Sequence, residues 1–112
     1  MGMDLVGMNA KSASGEYTRY NMWRWTALAA MCCEIAPAET EPCQSWFIND
    51  GYGLEAVQSE LLAKRLEQAL VDGSIDPYLV ELRSFPHCYY VNKKDISNFV
   101  TFLRECGGFR IW

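Results

Sequence analysis

The sequence contains no apolar run approaching the roughly 20 residues needed to cross a bilayer. It also lacks a basic segment followed by a long apolar stretch at its start, and it has no Asn-x-Ser/Thr sequon. These absences disfavour a membrane anchor and an export signal. We therefore expect a cytoplasmic protein with no membrane partner.

Positive charge is scarce in the middle of the sequence, where no Lys or Arg occurs between Arg24 and Lys64. Glu34, Glu39 and Glu41 lie within that stretch, and the whole chain carries a net charge of −4. Such a chain lacks the positive field that drives phosphate binding, which disfavours nucleic acid as a partner. We interpret the acidic stretch as a solvated loop, with contact to a basic partner as the alternative.

Motifs for catalysis are also missing. Neither residues 51–53 nor Gly107-Gly108 is followed by the Lys-Ser/Thr of a phosphate-binding loop. Glu39 with Glu41, or Asp50 with Glu55, could form a catalytic carboxylate pair only if one of them were buried, and a loop rich in exposed acidic groups does not favour that. We therefore predict no catalytic residue and no cofactor.

Cysteine is present, but without the spacing typical of a zinc knuckle. The chain has 5 cysteines, an odd number, and no Cys-x-x-Cys pair. Free and mostly buried thiols are therefore the simplest interpretation. Two alternatives stay open, a cysteine nucleophile activated by the single histidine and a zinc site drawn from Cys32, Cys33, Cys43, His87 and Cys88.

Length and composition indicate one globular domain. The chain has 112 residues, of which 50% are hydrophobic and 21% charged. Two domains of half this length would each be too small to build a core. No internal repeat, low-complexity tract or long linker divides the sequence, so we expect residues 1–112 to form a single domain.

Apolar spacing and helix-ending residues predict a helix-rich α+β fold. Asn21 can cap a helix over Met22–Ile35 that Pro37 ends, and Gly73 can end a helix over residues 54–70. Two further helices are predicted, over Asp76–Arg83 and after an Asn92/Asp95 capping box. Short strands are predicted at residues 3–8, 88–91 and 109–112. We expect three or four helices packed on a short, mostly antiparallel sheet.

Aromatic residues and arginines are interleaved in the first half of the chain, and these residue types dominate protein-binding surfaces. On a helix Trp23 and Trp25 point about 200° apart, so at most one of them faces a single core. Packing in the core is the competing explanation. The predicted binding residues are Tyr17, Arg19, Tyr20, Arg24, Trp25 and Trp46.

Four short blocks carry a resemblance that covers most of the chain. They are residues 1–4, residues 15–17 with Asn21, Trp23 and Trp25, residues 49–51 with Gly53 and Leu54, and residues 102–109. As a set they resemble a family of small uncharacterised bacterial and phage proteins that has no assigned activity. The resemblance implies a setting in which mobile-element and host-interaction proteins are common, and it implies no site residue.

The leading hypothesis is therefore a non-enzymatic protein-binding module, an accessory or anti-defence factor of a phage or mobile element. A small zinc-binding or cysteine-dependent enzyme is one alternative. A structural subunit of a homo-oligomer is another, and the sequence does not separate it from the leading hypothesis.

Overall fold

The structure is a computed structural model that describes residues 2–83 and 91–112, with only the backbone described at residues 82 and 83. The strands are β1 (Gly2–Gly7), β2 (Tyr17–Asn21), β3 (Gly53–Glu55) and β4 (Gly108–Ile111). The helices are α1 (Met22–Ile35), α2 (Pro37–Thr40), α3 (Ala56–Asp72), α4 (Asp76–Arg83) and α5 (Lys93–Glu105). A single 3-10 turn at Ala13–Gly15 joins β1 to β2.

The four strands form one antiparallel sheet in the order β2-β1-β4-β3. In the central strand β1, Leu5 pairs with Thr18 on one side and with Ile111 on the other. The predicted strand at residues 109–112 is therefore present as β4, and it lies beside the N-terminal strand. Most of the other predicted strand, at residues 88–90, lies outside the described residues.

The helices pack against one face of the sheet and enclose the hydrophobic core between them. Side chains of β1, β3 and β4 that point toward the helices are buried, namely Met3, Leu5, Leu54, Phe109 and Ile111. Phe109 meets Phe102 of α5 edge-on, with ring centroids 5.9 Å apart. The predicted α+β architecture, with helices on a short antiparallel sheet, is confirmed.

Local sequence signals fix most helix ends. The Asn21 side chain accepts a hydrogen bond from the backbone N–H of Arg24 at 2.8 Å, which caps α1 as predicted. Asn92 and Asp95 form the predicted capping box of α5. Gly73 ends α3 with φ of +79°, a left-handed conformation that glycine adopts without strain.

The structure also contains elements that the sequence patterns did not predict. Strands β2 and β3 were both missed, and the helix predicted from residue 54 begins at Ala56 because Gly53–Glu55 pairs with β4. The acidic stretch is more than a loop, since it includes the short helix α2. Pro37 begins α2, where the missing N–H of proline costs no hydrogen bond.

Candidate functional site

The face of the sheet opposite the helices carries exposed or half-buried side chains. Successive residues of a strand point to opposite faces, so the residues between the core positions share this face. We call it the open face, and its side chains are those of Asp4, Val6, Tyr17, Arg19, Glu55, Arg110 and Trp112.

The strand register aligns the open face into two rows. One row runs across all four strands, from Tyr17 through Val6 and Arg110 to Gly53. The second begins with the pair Arg19 and Asp4 and continues to Trp112, whose backbone N–H donates to the Asp4 carbonyl oxygen at 2.7 Å. Each row therefore contains one aromatic side chain and one arginine.

Asp4 holds the β2 side of the open face in place. It accepts a hydrogen bond from the Tyr17 hydroxyl, and its Oδ1 lies 3.6 Å from Nε of Arg19. The hydrogen bond to Asp4 is the first cause that raises the pKa of Tyr17 above its ordinary value. Tyr17 is consequently a neutral donor at physiological pH, and two side chains of β2 share one carboxylate of β1.

A second ion pair orders the β3 side. Nη2 of Arg110 donates to Oε1 of Glu55 at 2.7 Å, while Nη1 donates to the Phe109 carbonyl oxygen at 2.9 Å. With Arg19 and Asp4, the open face thus carries two cations and two anions. Its charges cancel, in contrast to the net charge of −4 for the whole chain.

The outer end of the Trp112 indole ring lies against Gly51. A Cβ placed on Gly51 would come within 2.8 Å of the indole ring, so only glycine leaves room for this contact. The Gly51 N–H donates to the Ile111 carbonyl oxygen at 2.7 Å and fixes the turn beneath the ring. Trp112 nevertheless remains 55% exposed, which makes it an ordered aromatic surface that faces solvent.

The predicted binding residues divide between the surface and the interior. Tyr17 and Arg19 lie on the open face, whereas Trp25 and Trp46 are 1% and 4% exposed and belong to the core. Tyr20 packs between Trp25 and Phe99, and its burial raises the pKa of its hydroxyl to about 12. Tyr20, Trp25 and Trp46 therefore pack in or against the core, as the competing explanation proposed.

Arg24 and Trp23 lie at the start of α1, beside the end of β2. Arg24 is half-buried, with Nη1 3.8 Å from Oδ1 of Asp95 in the α5 capping box. Trp23 is 62% exposed, so it is the tryptophan of the Trp23/Trp25 pair that faces solvent. The neighbouring Met22 is also exposed, and the two extend the apolar surface beyond β2.

Val6, Arg110 and Trp112 were not predicted as surface residues, although they complete the open face. The alternation of apolar and polar residues in residues 109–112 predicted a strand and could have placed Arg110 and Trp112 on one side of it. Which side faces solvent depends on the position of the helices, and local sequence carries no such information.

The described cysteines are packing residues. Cys32, Cys43 and Cys106 are buried and Cys33 is half-buried, and all four are free thiols. Burial is the first cause that raises the pKa of each, to about 11 for Cys43. A thiol with a raised pKa is protonated at neutral pH and is a poor nucleophile and metal ligand.

The zinc site considered as an alternative lies only partly within the described residues, because His87 and Cys88 are outside them. Within residues 2–83 and 91–112, no group of three His, Cys, Asp or Glu side chains is arranged to hold a metal ion. The same part of the chain contains no helix that is both long and apolar enough to cross a membrane.

A cleft of about 430 Å³ lies between α2 and α3. Ala38, Pro42 and Leu61 supply its apolar surface, and Glu39 lies among the polar residues at its edge. Oε2 of Glu39 is buried without a hydrogen-bond partner in the described part of the chain. Because that oxygen is closed off from solvent, a ligand in the cleft could reach it only after a rearrangement.

Within residues 2–83 and 91–112, the fold and surface define a two-layer α+β domain with helices on one face of the sheet and side chains ordered by ion pairs on the other. Comparison with known proteins adds no further assignment, since no protein-family model, curated protein or solved structure matches the chain.

Proposed function

We propose that the protein is a non-enzymatic protein-binding module whose contact surface is the open face. The observation that carries the proposal is the pairing of exposed aromatic side chains with arginines on a rigid sheet. Tyr17 is fixed by Asp4 and Trp112 by Gly51. Aromatic side chains that are already ordered lose little conformational entropy on binding, which favours affinity.

The charges of the open face favour a protein over a nucleic acid. A surface that binds phosphates needs an excess of Lys and Arg. Here Arg19 and Arg110 each lie close to a carboxylate, at 3.6 Å and 2.7 Å. A balanced and partly apolar surface of this kind is typical of protein interfaces, whose rims are polar and whose centres are depleted of net charge.

The resemblance to small bacterial and phage proteins suggests where a partner is to be found. It supports an accessory or anti-defence role in a phage or mobile element, in which a small protein acts by binding to a host protein. The described thiols and the cleft between α2 and α3 support no enzymatic alternative, because they combine no activated nucleophile with a base.

Affinity capture with surface variants tests the proposal. Trp112→Ala and Tyr17→Ala each remove one of the two ordered aromatic side chains of the open face. Val71→Ala is the matched control, because Val71 is 84% exposed on α3, away from the sheet. Each tagged chain would be used to capture partners from a lysate of bacteria that carry the gene, and the captured proteins would be identified by mass spectrometry.

The proposal predicts one partner that the wild type and Val71→Ala retain at similar yield and that both aromatic variants lose at least tenfold. A partner captured equally by all four chains would show that the open face is not the contact surface. Far-UV circular dichroism of each variant establishes that a loss of capture does not reflect unfolding.

A further inference from the structure

The cleft between α2 and α3 combines apolar walls with positive charge. Its volume of about 430 Å³ lies within the range of pockets that hold small molecules in proteins. Leu61 of α3 is 53% exposed and lines the cleft, with Ala38 and Pro42 on the side of α2. Lys64 and Arg65 also line it. The cleft therefore offers apolar contact and two cations at one place.

Lys64 and Arg65 carry charges that the described chain does not neutralise. Among the described side chains, those of residues 2–81 and 91–112, every Lys and Arg forms an ion pair except Lys64, Arg65 and Lys94. Two of the three exceptions line this cleft. Unused positive charge is therefore concentrated here, in a chain whose net charge is −4.

The ion pairs of α3 explain why Lys64 has no partner. Residues three and four positions apart are neighbours on a helix, so Glu60 and Glu67 are the acidic residues next to Lys64. Glu60 is engaged by Lys11 at 2.7 Å, and Glu67 is engaged by Arg104 at 2.9 Å. These pairs tie α3 to the segment after β1 and to α5, and they leave the charge of Lys64 unmatched.

Arg65 has no acidic residue at those spacings, because positions 61, 62, 68 and 69 hold leucine, glutamine and alanine. Asp72, two turns further on, accepts instead from the backbone N–H of Ser74 at 2.8 Å. Arg65 is also half-buried, and a charge partly withdrawn from water interacts more strongly with an anion than an exposed charge does. Its planar guanidinium matches a carboxylate with two parallel hydrogen bonds.

Glu39 determines how much negative charge the cleft can accept. It lines the cleft from α2 and forms an ion pair with neither Lys64 nor Arg65. Its Oε2 is closed off from solvent, so a ligand does not reach that oxygen directly. Two cations and one carboxylate leave a single positive charge on the lining. The complementary ligand therefore carries a single negative charge and binds on the α3 side.

We propose that the cleft binds a small-molecule carboxylate with an apolar body. The carboxylate pairs with Arg65, and with Lys64 at the rim, while the apolar body covers Leu61 and is removed from water. The ligand thereby connects α2 with α3. Neither α4 nor α5, the helices that flank residues 84–90, contributes a described residue to the cleft.

This site goes beyond the proposed function, because the cleft lies in the helix layer and the protein partner binds the opposite face of the sheet. Trp112→Ala, which removes an aromatic side chain of the open face, should bind the carboxylate as the wild type does. The two proposals can therefore fail independently of each other.

Titration with octanoate tests the site, because octanoate supplies both the carboxylate and the apolar body. Octan-1-ol keeps only the apolar body, acetate keeps only the carboxylate, and octylamine reverses the charge. Two-dimensional ¹H–¹⁵N spectra locate the binding, since the backbone signals of residues 38–41 and 58–68 should move most. We expect octanoate to bind at least about tenfold more tightly than each of the other three compounds.

Substitutions of the charged residues test which groups hold the carboxylate. Arg65→Gln and Lys64→Gln should each weaken octanoate binding at least about threefold. Lys94→Gln is the matched control, because it makes the same change of charge at an exposed, unpaired cation of α5 outside the cleft. Glu39→Gln should tighten binding about twofold, since it removes a like charge. Far-UV circular dichroism establishes that each variant is folded.

Selective octanoate binding at the cleft, with this order of variants, supports the proposal. Equal affinity for octanoate and octan-1-ol would overturn the role of the two cations. Tighter binding of octylamine, or weaker octanoate binding by Glu39→Gln, would overturn the assignment of an anionic ligand. If octanoate below its micelle-forming concentration left the signals of residues 58–68 unmoved, the cleft would not be a site for such ligands.

Discussion

The indole N–H of Trp25 donates to the backbone carbonyl oxygen of Trp46 at 2.5 Å, and the two rings stack with centroids 6.0 Å apart. Trp46 in turn donates its indole N–H to the Thr40 carbonyl oxygen at 3.0 Å. The pair thereby ties α1 to α2 and to the segment that follows α2. Residues 41–52 contain no strand or helix, so these contacts hold them against the core.

Trp25→Phe should lower the free energy of unfolding by about 1–3 kcal/mol, since it leaves the buried Trp46 carbonyl oxygen without a donor. Trp23→Phe is the matched control two residues away, and because Trp23 faces solvent its effect should stay within about 0.5 kcal/mol. Urea denaturation followed by far-UV circular dichroism measures both. Equal effects of the two substitutions would contradict the assignment of Trp25 to the core.

Gly15→Ala should destabilise the fold severely, because a Cβ at Gly15 would lie 2.1 Å from the Glu105 carbonyl oxygen, and backbone atoms cannot move aside cheaply. Gly73→Ala makes a useful comparison. Its Cβ would meet nothing closer than 3.5 Å, but its φ of +79° costs a residue other than glycine about 1–2 kcal/mol. Thermal unfolding should rank the wild type first, then Gly73→Ala, then Gly15→Ala.

Asn92→Ala should cost about 0.5–2 kcal/mol through loss of the α5 cap. The Asn92 side chain accepts from the Asp95 N–H at 2.8 Å, and Asp95 accepts from the Asn92 N–H at 3.0 Å. Asn98→Ala changes the same residue type at an exposed site inside α5 and should be nearly neutral. If Asn98→Ala were the more harmful change, the capping box would not be what fixes the start of α5.

Stability should fall at alkaline pH through Tyr20. Burial raises its pKa from 10.0 to about 12, so the folded chain keeps a proton that the unfolded chain releases. The contribution is therefore complete below pH 10 and is lost as the pH rises from 10 toward 12. Tyr20→Phe should make the unfolding free energy less dependent on pH across this window, while a slope due to Cys43 persists. An unchanged slope in Tyr20→Phe would show that Tyr20 is not buried as described.

Local signals were sufficient for the long helices, because the features that determine them lie close together in sequence. Asn21, Gly73 and the Asn92/Asp95 pair each act on the adjacent turn of backbone. Strand β2 had a usable signal too, since Tyr17, Thr18 and Tyr20 are residue types that favour strands. Strand β3 had none, because its three residues are extended only through their pairing with β4.

The candidate site was only partly predictable for a related reason. The sequence showed that aromatic residues cluster at positions 17–25 and 46–52, but it could not distinguish exposed rings from buried ones. Trp23 and Trp25 illustrate the limit, since helical geometry separated the two side chains without indicating which one faces the core. That choice is set by Phe99 and Trp46, which contact Trp25 from distant parts of the chain.

The place of β4 between β1 and β3 has a consequence for how the chain acquires its structure. The hairpin of β1 and β2 involves neighbours in sequence, whereas pairing Leu5 with Ile111 closes a loop of about one hundred residues. Contacts of such long range slow folding, because the entropy of closure is lost before they contribute stability. We expect the hairpin and the helices to appear early and the central pairing to be rate-limiting, so that the sheet and its exposed surface arise together in one cooperative step.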